Sequence, residues 1–182
     1  GIVGARRDVA DVDAARRKEA GEGVQHARLV EAHDVDGVGD HVQARRALPM
    51  LALILAPRHP VRGDGLAEML RDRGLIVAQR SKGEPIGADT DVYLADTLGE
   101  MGLWYRVASV SFIGGSLAEV GGHNPFEPAL LGSAILHGPH VRNFQDAYAR
   151  LPAAGAAVEV RGGEELGRVL GTTLAPDRAA EM

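Results

Sequence analysis

Apolar and polar positions follow two different regimes along this chain, and the change falls near residue 46. From Pro49 onward, apolar runs of strand length such as LALILA and SAILH alternate with segments of helical spacing. That alternation is the signature of repeated βα units feeding a parallel sheet. It predicts strands over 51–56, 75–79, 91–95, 109–113, 133–137 and 156–160, and helices over 63–73, 98–107, 124–131, 143–151 and 163–171. The two quoted runs are nearly all apolar, as expected where helices cover both faces of a sheet. The fold class is α/β, with a doubly wound parallel sheet.

Residues 1–45 read differently. Among Leu, Ile, Met, Phe, Trp and Tyr they contain only Ile2 and Leu29, so they can bury little, and no apolar stripe recurs at helical spacing. They are expected to form an atypical leader, flexible or loosely packed, set apart from a single domain over 46–182. His26, His33 and His41, with Asp34, Asp36 and Asp40, lack any recognised ligand spacing and read as solvated side chains.

The stretch from Ser109 to Pro128 organises the rest. Val110, Phe112 and Ile113 supply a buried strand, which Gly114 and Gly115 stop at a tight turn. Ser116 then caps a predicted one-turn helix, with Glu119 three residues on completing an S-x-x-E capping box. After Gly121 and Gly122, the residues Asn124, Pro125 and Glu127 fall at the cap, first and third positions of a further helix. Two helix N-termini would then follow one strand end, a place suited to a phosphate or carboxylate.

Bulk properties narrow the function. A chain of 182 residues with 45% hydrophobic and 25% charged content is of ordinary globular composition. The net charge of -5 disfavours a general nucleic-acid binder. The absence of cysteine excludes disulfides, thiolate metal sites and cysteine nucleophiles. MLALILAP, the longest apolar run, is too short to cross a bilayer. No Walker-type phosphate loop and no Ser-His-Asp or lysine nucleophile pattern is present.

Open α/β sheets bind ligands at the carboxyl ends of their strands. That rule singles out 57–60, 96–101, 114–116 and 138–142. Arg58, in the turn APRHP, can fork onto a phosphate or carboxylate, or can simply face water in a proline-bounded loop. Asp96 or Thr97 can cap the helix that follows DVYLA, with Gly99 permitting close backbone approach. Asn124 and Glu127 share one helix face, where they either serve a ligand sugar or only build the helix start. Asp89-Thr90-Asp91 imitates a D-x-D metal element but sits at a strand's beginning, the wrong end of the sheet. His123, His137 and His140 offer no metal geometry.

Four ordered motifs carry a resemblance. LILAPRHP, ADTLGEMGLWY, SFIGGSLAEVGGHNPFEPALLGSAILHGPHVRNFQDAY, and GAAVEV with its following E-E-L resemble the carboxyl-terminal half of 3-deoxy-D-manno-octulosonic acid (Kdo) transferase. That lipopolysaccharide enzyme of Gram-negative bacteria is a GT-B glycosyltransferase, with two Rossmann-like domains facing across a cleft. The resemblance, over residues from about 47 to 182, implies CMP-Kdo as donor, a lipid A precursor as acceptor, inversion at the anomeric carbon, and no metal or other cofactor. It implies that Pro57 and Arg58, with the turn of Gly114, Gly115 and Ser116, hold the donor's phosphate and carboxylate. The loop of Gly99, Glu100 and Met101 would meet cytosine through its backbone, and Asn124 with Glu127 would face the ribose and phosphate.

Members of that family are considerably longer, and their amino-terminal half binds the acceptor, supplies a membrane anchor and carries the catalytic carboxylate. The expectation is therefore a donor-binding half with no catalytic residue of its own, inactive by itself and soluble in the cytoplasm. The full-length enzyme is expected at the cytoplasmic face of the inner membrane. The Arg, Ala, Gly, Asp and Val bias of residues 1–45 is what an out-of-frame reading of GC-rich DNA gives, so a truncated or frameshifted start is expected. Two competing readings stand beside this one: another GT-B enzyme, acting on a UDP-sugar as transferase or epimerase, and a noncatalytic α/β binding module.

Overall fold

The computed structural model of the chain describes residues 27–32, 51–87, 89–151 and 155–173. Seven strands form its sheet: β1 (Ala27–Ala32), β2 (Leu51–Ala56), β3 (Val77–Gln79), β4 (Val92–Leu94), β5 (Val110–Ile113), β6 (Ala134–His137) and β7 (Ala157–Glu159). Their order is β3-β4-β2-β1-β5-β6-β7, and every pairing is parallel. Among the described residues there are five α-helices: α1 (Gly63–Asp72), α2 (Met101–Val107), α3 (Phe126–Leu130) and α4 (Gln145–Arg150) lie between strands, and α5 (Gly163–Thr173) follows β7.

Side chains alternate across a strand, and both faces here are buried. Leu53 and Leu55 of β2 pack with Val92, Leu94, Val110, Phe112 and Leu136 on one face, beneath Leu66 and Leu70 of α1 and Leu166 and Leu170 of α5. Ile54 and Ala56 point to the other face, against Tyr93 and Trp104 of α2. Farther along that second grouping, Ile113 and Ile135 meet Tyr148 of α4. Each fully buried leucine or isoleucine contributes about 1.5–3 kcal/mol relative to exposure, so the two-sided core is what holds the strand ends in place.

Helix starts and stops follow local chemistry. Leu66, Ala67 and Leu70 give α1 one apolar face, Asp64 lies in its first turn where the dipole favours an anion, and Gly74 at φ 79° follows its end. In α5, Glu165 Oε2 accepts the Arg161 backbone N–H at 2.9 Å and satisfies a donor at the helix start.

Two expectations are corrected. No strand was predicted before residue 51, yet β1 runs from Ala27 to Ala32 at the centre of the sheet, between β2 and β5. ARLVEA escapes a search for apolar runs because Arg28 and Glu31 interrupt it and no flanking turn residues mark it. The sheet thus draws on the segment expected to be a leader; the rest of residues 1–45, with the histidine–aspartate group, lies outside the described residues. Secondly, no helix forms over 116–119; the chain bends there and turns at Glu119 and Val120. Gly115, at φ 67°, breaks the local geometry, and its carbonyl accepts the N–H groups of Gly121 (3.1 Å) and Gly122 (2.8 Å), closing the loop on itself. The Ser116–Glu119 capping box is accordingly absent.

Candidate functional site

Because all seven strands are parallel, their carboxyl ends share one edge. β1 connects toward β2, β4 and β3, whereas β5 leads away to β6 and β7, so β1 and β5 flank the topological switch point. A doubly wound sheet opens its crevice there. The turn Gly114–Ser116 leaves β5 at that point. With strands about 4.8 Å apart, the end of β2, carrying Pro57 and Arg58, lies about 10 Å across the switch.

The β5 turn is fixed from beneath. Ser116 is fully buried; its hydroxyl donates to the Ile113 carbonyl and accepts the Gly138 N–H at 2.7 Å. The Ser116 carbonyl accepts the His140 N–H at 2.9 Å. A Cβ on Gly138 would sit 2.2 Å from that carbonyl oxygen, so only glycine allows the β6 turn this close. Among the described residues, the N–H groups of Gly115 and Ser116 meet no acceptor. The contribution of this turn to a ligand is therefore backbone N–H groups, while the serine hydroxyl is committed inward.

The start of α3 follows the second glycine pair. Asn124 Oδ1 accepts the Phe126 N–H at 2.9 Å, the capping bond expected of it, although the helix begins one residue later in geometry. Asn124 and Glu127 are both exposed. Glu127 Oε1 lies 3.5 Å from where a Cβ on Gly102 would stand, so the α3 start and the first turn of α2 adjoin. Glu127 thus stands beside Gly102, which directly follows the loop Gly99–Met101.

On the far side of β2, capping of α2 by Asp96 or Thr97 is not what forms. Asp96 is buried and turns toward β3: Oδ1 accepts the Ser81 N–H at 2.9 Å, and Oδ2 accepts Gln79 Nε2 and the Ser81 hydroxyl, each at 2.7 Å. A Cβ on Gly63 would fall 2.3 Å from Asp96 Oδ2, so α1 starts directly against this carboxylate. The Thr97 hydroxyl donates to the Glu100 carboxylate, and no side chain accepts a helix N–H as a cap of α2.

Sequence reasoning missed Arg80. Its guanidinium meets Glu100 through Nη2–Oε1 at 2.7 Å and Nε–Oε2 at 3.1 Å, and stacks 5.9 Å from the Trp104 ring centroid. Arg80 lowers the Glu100 carboxyl below its usual range, against the opposing effect of partial burial. The same pair raises the Arg80 guanidinium. Burial chiefly raises the Tyr93 phenol beside them. The signal available was position alone: RSK follows β3 directly, at the ligand edge.

Other assignments resolve plainly. Asp91 Oδ2 accepts the Ile76 N–H at 2.8 Å before β4, at the edge away from the crevice. Among the described residues no group of acidic and histidine side chains could hold a metal ion. His137 is buried at the end of β6; its Nδ1 donates to the Gly138 carbonyl at 2.7 Å, and its ring lies 4.5 Å from that of Tyr148. No helix among the described residues is long and apolar enough to cross a membrane.

No protein-family model matches the chain. It is 43% identical over 130 residues to the 3-deoxy-D-manno-octulosonic acid transferase of Bordetella pertussis, covering 70% of this chain and 30% of that protein. To the transferase of the same name from Haemophilus influenzae it is 36% identical over 123 residues, covering 65% of this chain and 29% of the relative. The chain therefore spans less than a third of the length of these curated relatives. The crystal structure of the C-terminal CMP-Kdo binding domain of WaaA from Acinetobacter baumannii superposes with a TM-score of 0.79 at 30% identity, covering 94% of this chain and 93% of that one. On these likenesses, the chain belongs to the 3-deoxy-D-manno-octulosonic acid transferase family.

Proposed function

We propose that this chain is the donor-binding part of a Kdo transferase: it holds CMP-Kdo, and the whole enzyme passes the sugar to a lipid A precursor with inversion. The observation that carries this reading is the near end-to-end likeness to a domain described as CMP-Kdo binding. The switch-point geometry supports it independently. Backbone N–H groups of Gly115 and Ser116, with Arg58 from the β2 end, receive the donor's phosphate. The loop Gly99–Met101 meets the cytosine through its backbone, with Met101 opening α2, and Asn124 and Glu127 face the ribose, whose diol a carboxylate can accept.

Attack by an acceptor hydroxyl requires a positioned proton acceptor. None of the donor-site residues takes that role: Glu100 is held by Arg80, and Glu127 serves the ribose. The chain by itself accordingly binds the donor without transferring it, and association with the inner membrane belongs to the whole enzyme. The test is a binding titration with CMP-Kdo run beside a turnover assay with a lipid A acceptor. Saturable binding without transfer is expected. Absence of binding contradicts the donor-site reading, and clear transfer contradicts the division of labour.

A further inference from the structure

The donor of the proposed reaction carries two anions on one carbon. An octulosonic acid is a 2-keto acid, so its anomeric carbon bears both the bond to the CMP phosphate and the carboxylate. Two adjacent negative charges repel, and on the reading above the N–H groups of the β5 turn and Arg58 are both taken up by the phosphate. The carboxylate calls for its own cationic partner, one step along the strand edge from the phosphate.

The structure offers such a place. A cavity of about 370 Å3 opens beside the β5 turn, lined by Glu119 and Gly121 from that loop and by His140, Arg142 and Gln145 after β6. The His140 N–H donates to the Ser116 carbonyl at 2.9 Å, so this wall abuts the turn assigned to the phosphate. Asn143 locks the two loops: its N–H donates to the Gly121 carbonyl at 3.0 Å, and its side-chain amide donates to the carbonyls of Val120 (3.3 Å) and Gly122 (3.2 Å). Arg142 is exposed, and no ion pair joins it to another described residue. A cation on a braced loop, beside a hydroxyl-accepting carboxylate and an amide, fits an acidic polyhydroxylated sugar better than an apolar or a dianionic ligand.

We propose that this cavity holds the acidic sugar of the donor, with Arg142 and His140 meeting its carboxylate and Glu119 and Gln145 meeting its hydroxyls. The inference rests on the donor-site reading above and refines where the two anions part. Arg142 is then the residue that distinguishes CMP-Kdo from CMP. The planar guanidinium pairs with both carboxylate oxygens, which a lysine at the same place does only in part.

Calorimetric titrations of the chain and of Arg142→Ala, each with CMP and with CMP-Kdo, test it. The chain is expected to bind CMP-Kdo more tightly than CMP. Arg142→Ala is expected to weaken CMP-Kdo roughly tenfold or more, the scale of one lost charge-assisted contact, and to leave CMP unchanged. Arg142→Lys should fall between. Equal binding of both ligands by the unaltered chain, an unchanged CMP-Kdo affinity in Arg142→Ala, or an equal loss for both ligands overturns the inference while leaving the nucleotide site standing. Failure of the unaltered chain to bind either ligand removes the donor-site reading and this inference with it.

Discussion

Arg80 and Glu100 face each other in a two-point ion pair, with Nη2–Oε1 at 2.7 Å and Nε–Oε2 at 3.1 Å, that ties the end of β3 to the loop after β4. Trp104 lies under the guanidinium and packs edge-on against Tyr93 at 5.4 Å. The loop Leu98–Met101, with Gly99 at φ 82°, is therefore held at both its acidic side chain and its helix start. Arg80→Ala should loosen this loop, weaken CMP binding several-fold, and lower unfolding free energy by about 1 kcal/mol, because the pair is only partly buried. Denaturant unfolding and a CMP titration of the variant read both effects.

Acid should release the same contact. Glu100 is depressed below its ordinary 4.5 in the folded chain, chiefly by the hydrogen bond from Arg80. Its stabilisation is therefore fully present above that value and is lost as pH falls through the lower folded value. Against Glu100→Gln, the unaltered chain should lose more stability as pH falls below 4.5. Parallel pH dependences for the two proteins would show that the pair contributes nothing.

The brace between the β5 and β6 turns makes a separate prediction. Ser116→Ala removes the acceptor of the buried Gly138 N–H, and should cost about 1–3 kcal/mol. Gly138→Ala drives a methyl group into the Ser116 carbonyl and should cost at least as much, since backbone must move. Thermal and denaturant unfolding of both variants check this.

Arg58→Ala should change stability by no more than about 0.5 kcal/mol, as an exposed side chain, while weakening CMP binding about tenfold through one charge-assisted contact. Glu127→Ala should likewise weaken CMP more than it weakens the fold. Calorimetry with CMP, beside unfolding curves, separates the two effects.

Much of this architecture is readable in residues 49–173, because there the local signals agree. LALILA, SAILH and the glycine stops mark β2, β6 and the turns within a residue or two of where they form. What escaped depends on tertiary pairing. β1 carries Arg28 and Glu31 in six residues and earns its central place from β2 and β5, not from its own pattern. Ser116 reads as a helix cap, but its hydroxyl is drawn to the Ile113 carbonyl and the Gly138 N–H of a turn 22 residues away. Asp96 likewise looks like a cap until Gln79 and Ser81 of the neighbouring strand end claim both its oxygens. Arg80 stands in a three-residue polar turn, and nothing in RSK announces a partner twenty residues on. The motifs around Gly99, Gly114 and Asn124 were legible because glycine, proline and asparagine report backbone geometry locally.

The most direct test of a cytidine-nucleotide site is thermal unfolding of the chain with CMP beside UDP at equal concentration. At about 100 times the dissociation constant, a ligand selective for the folded state adds about 2.7 kcal/mol, which raises the midpoint by roughly 5–10 °C in a chain of this size. CMP should produce that rise and UDP little. A rise with UDP that matches or exceeds the rise with CMP, or no rise with either, would contradict the account.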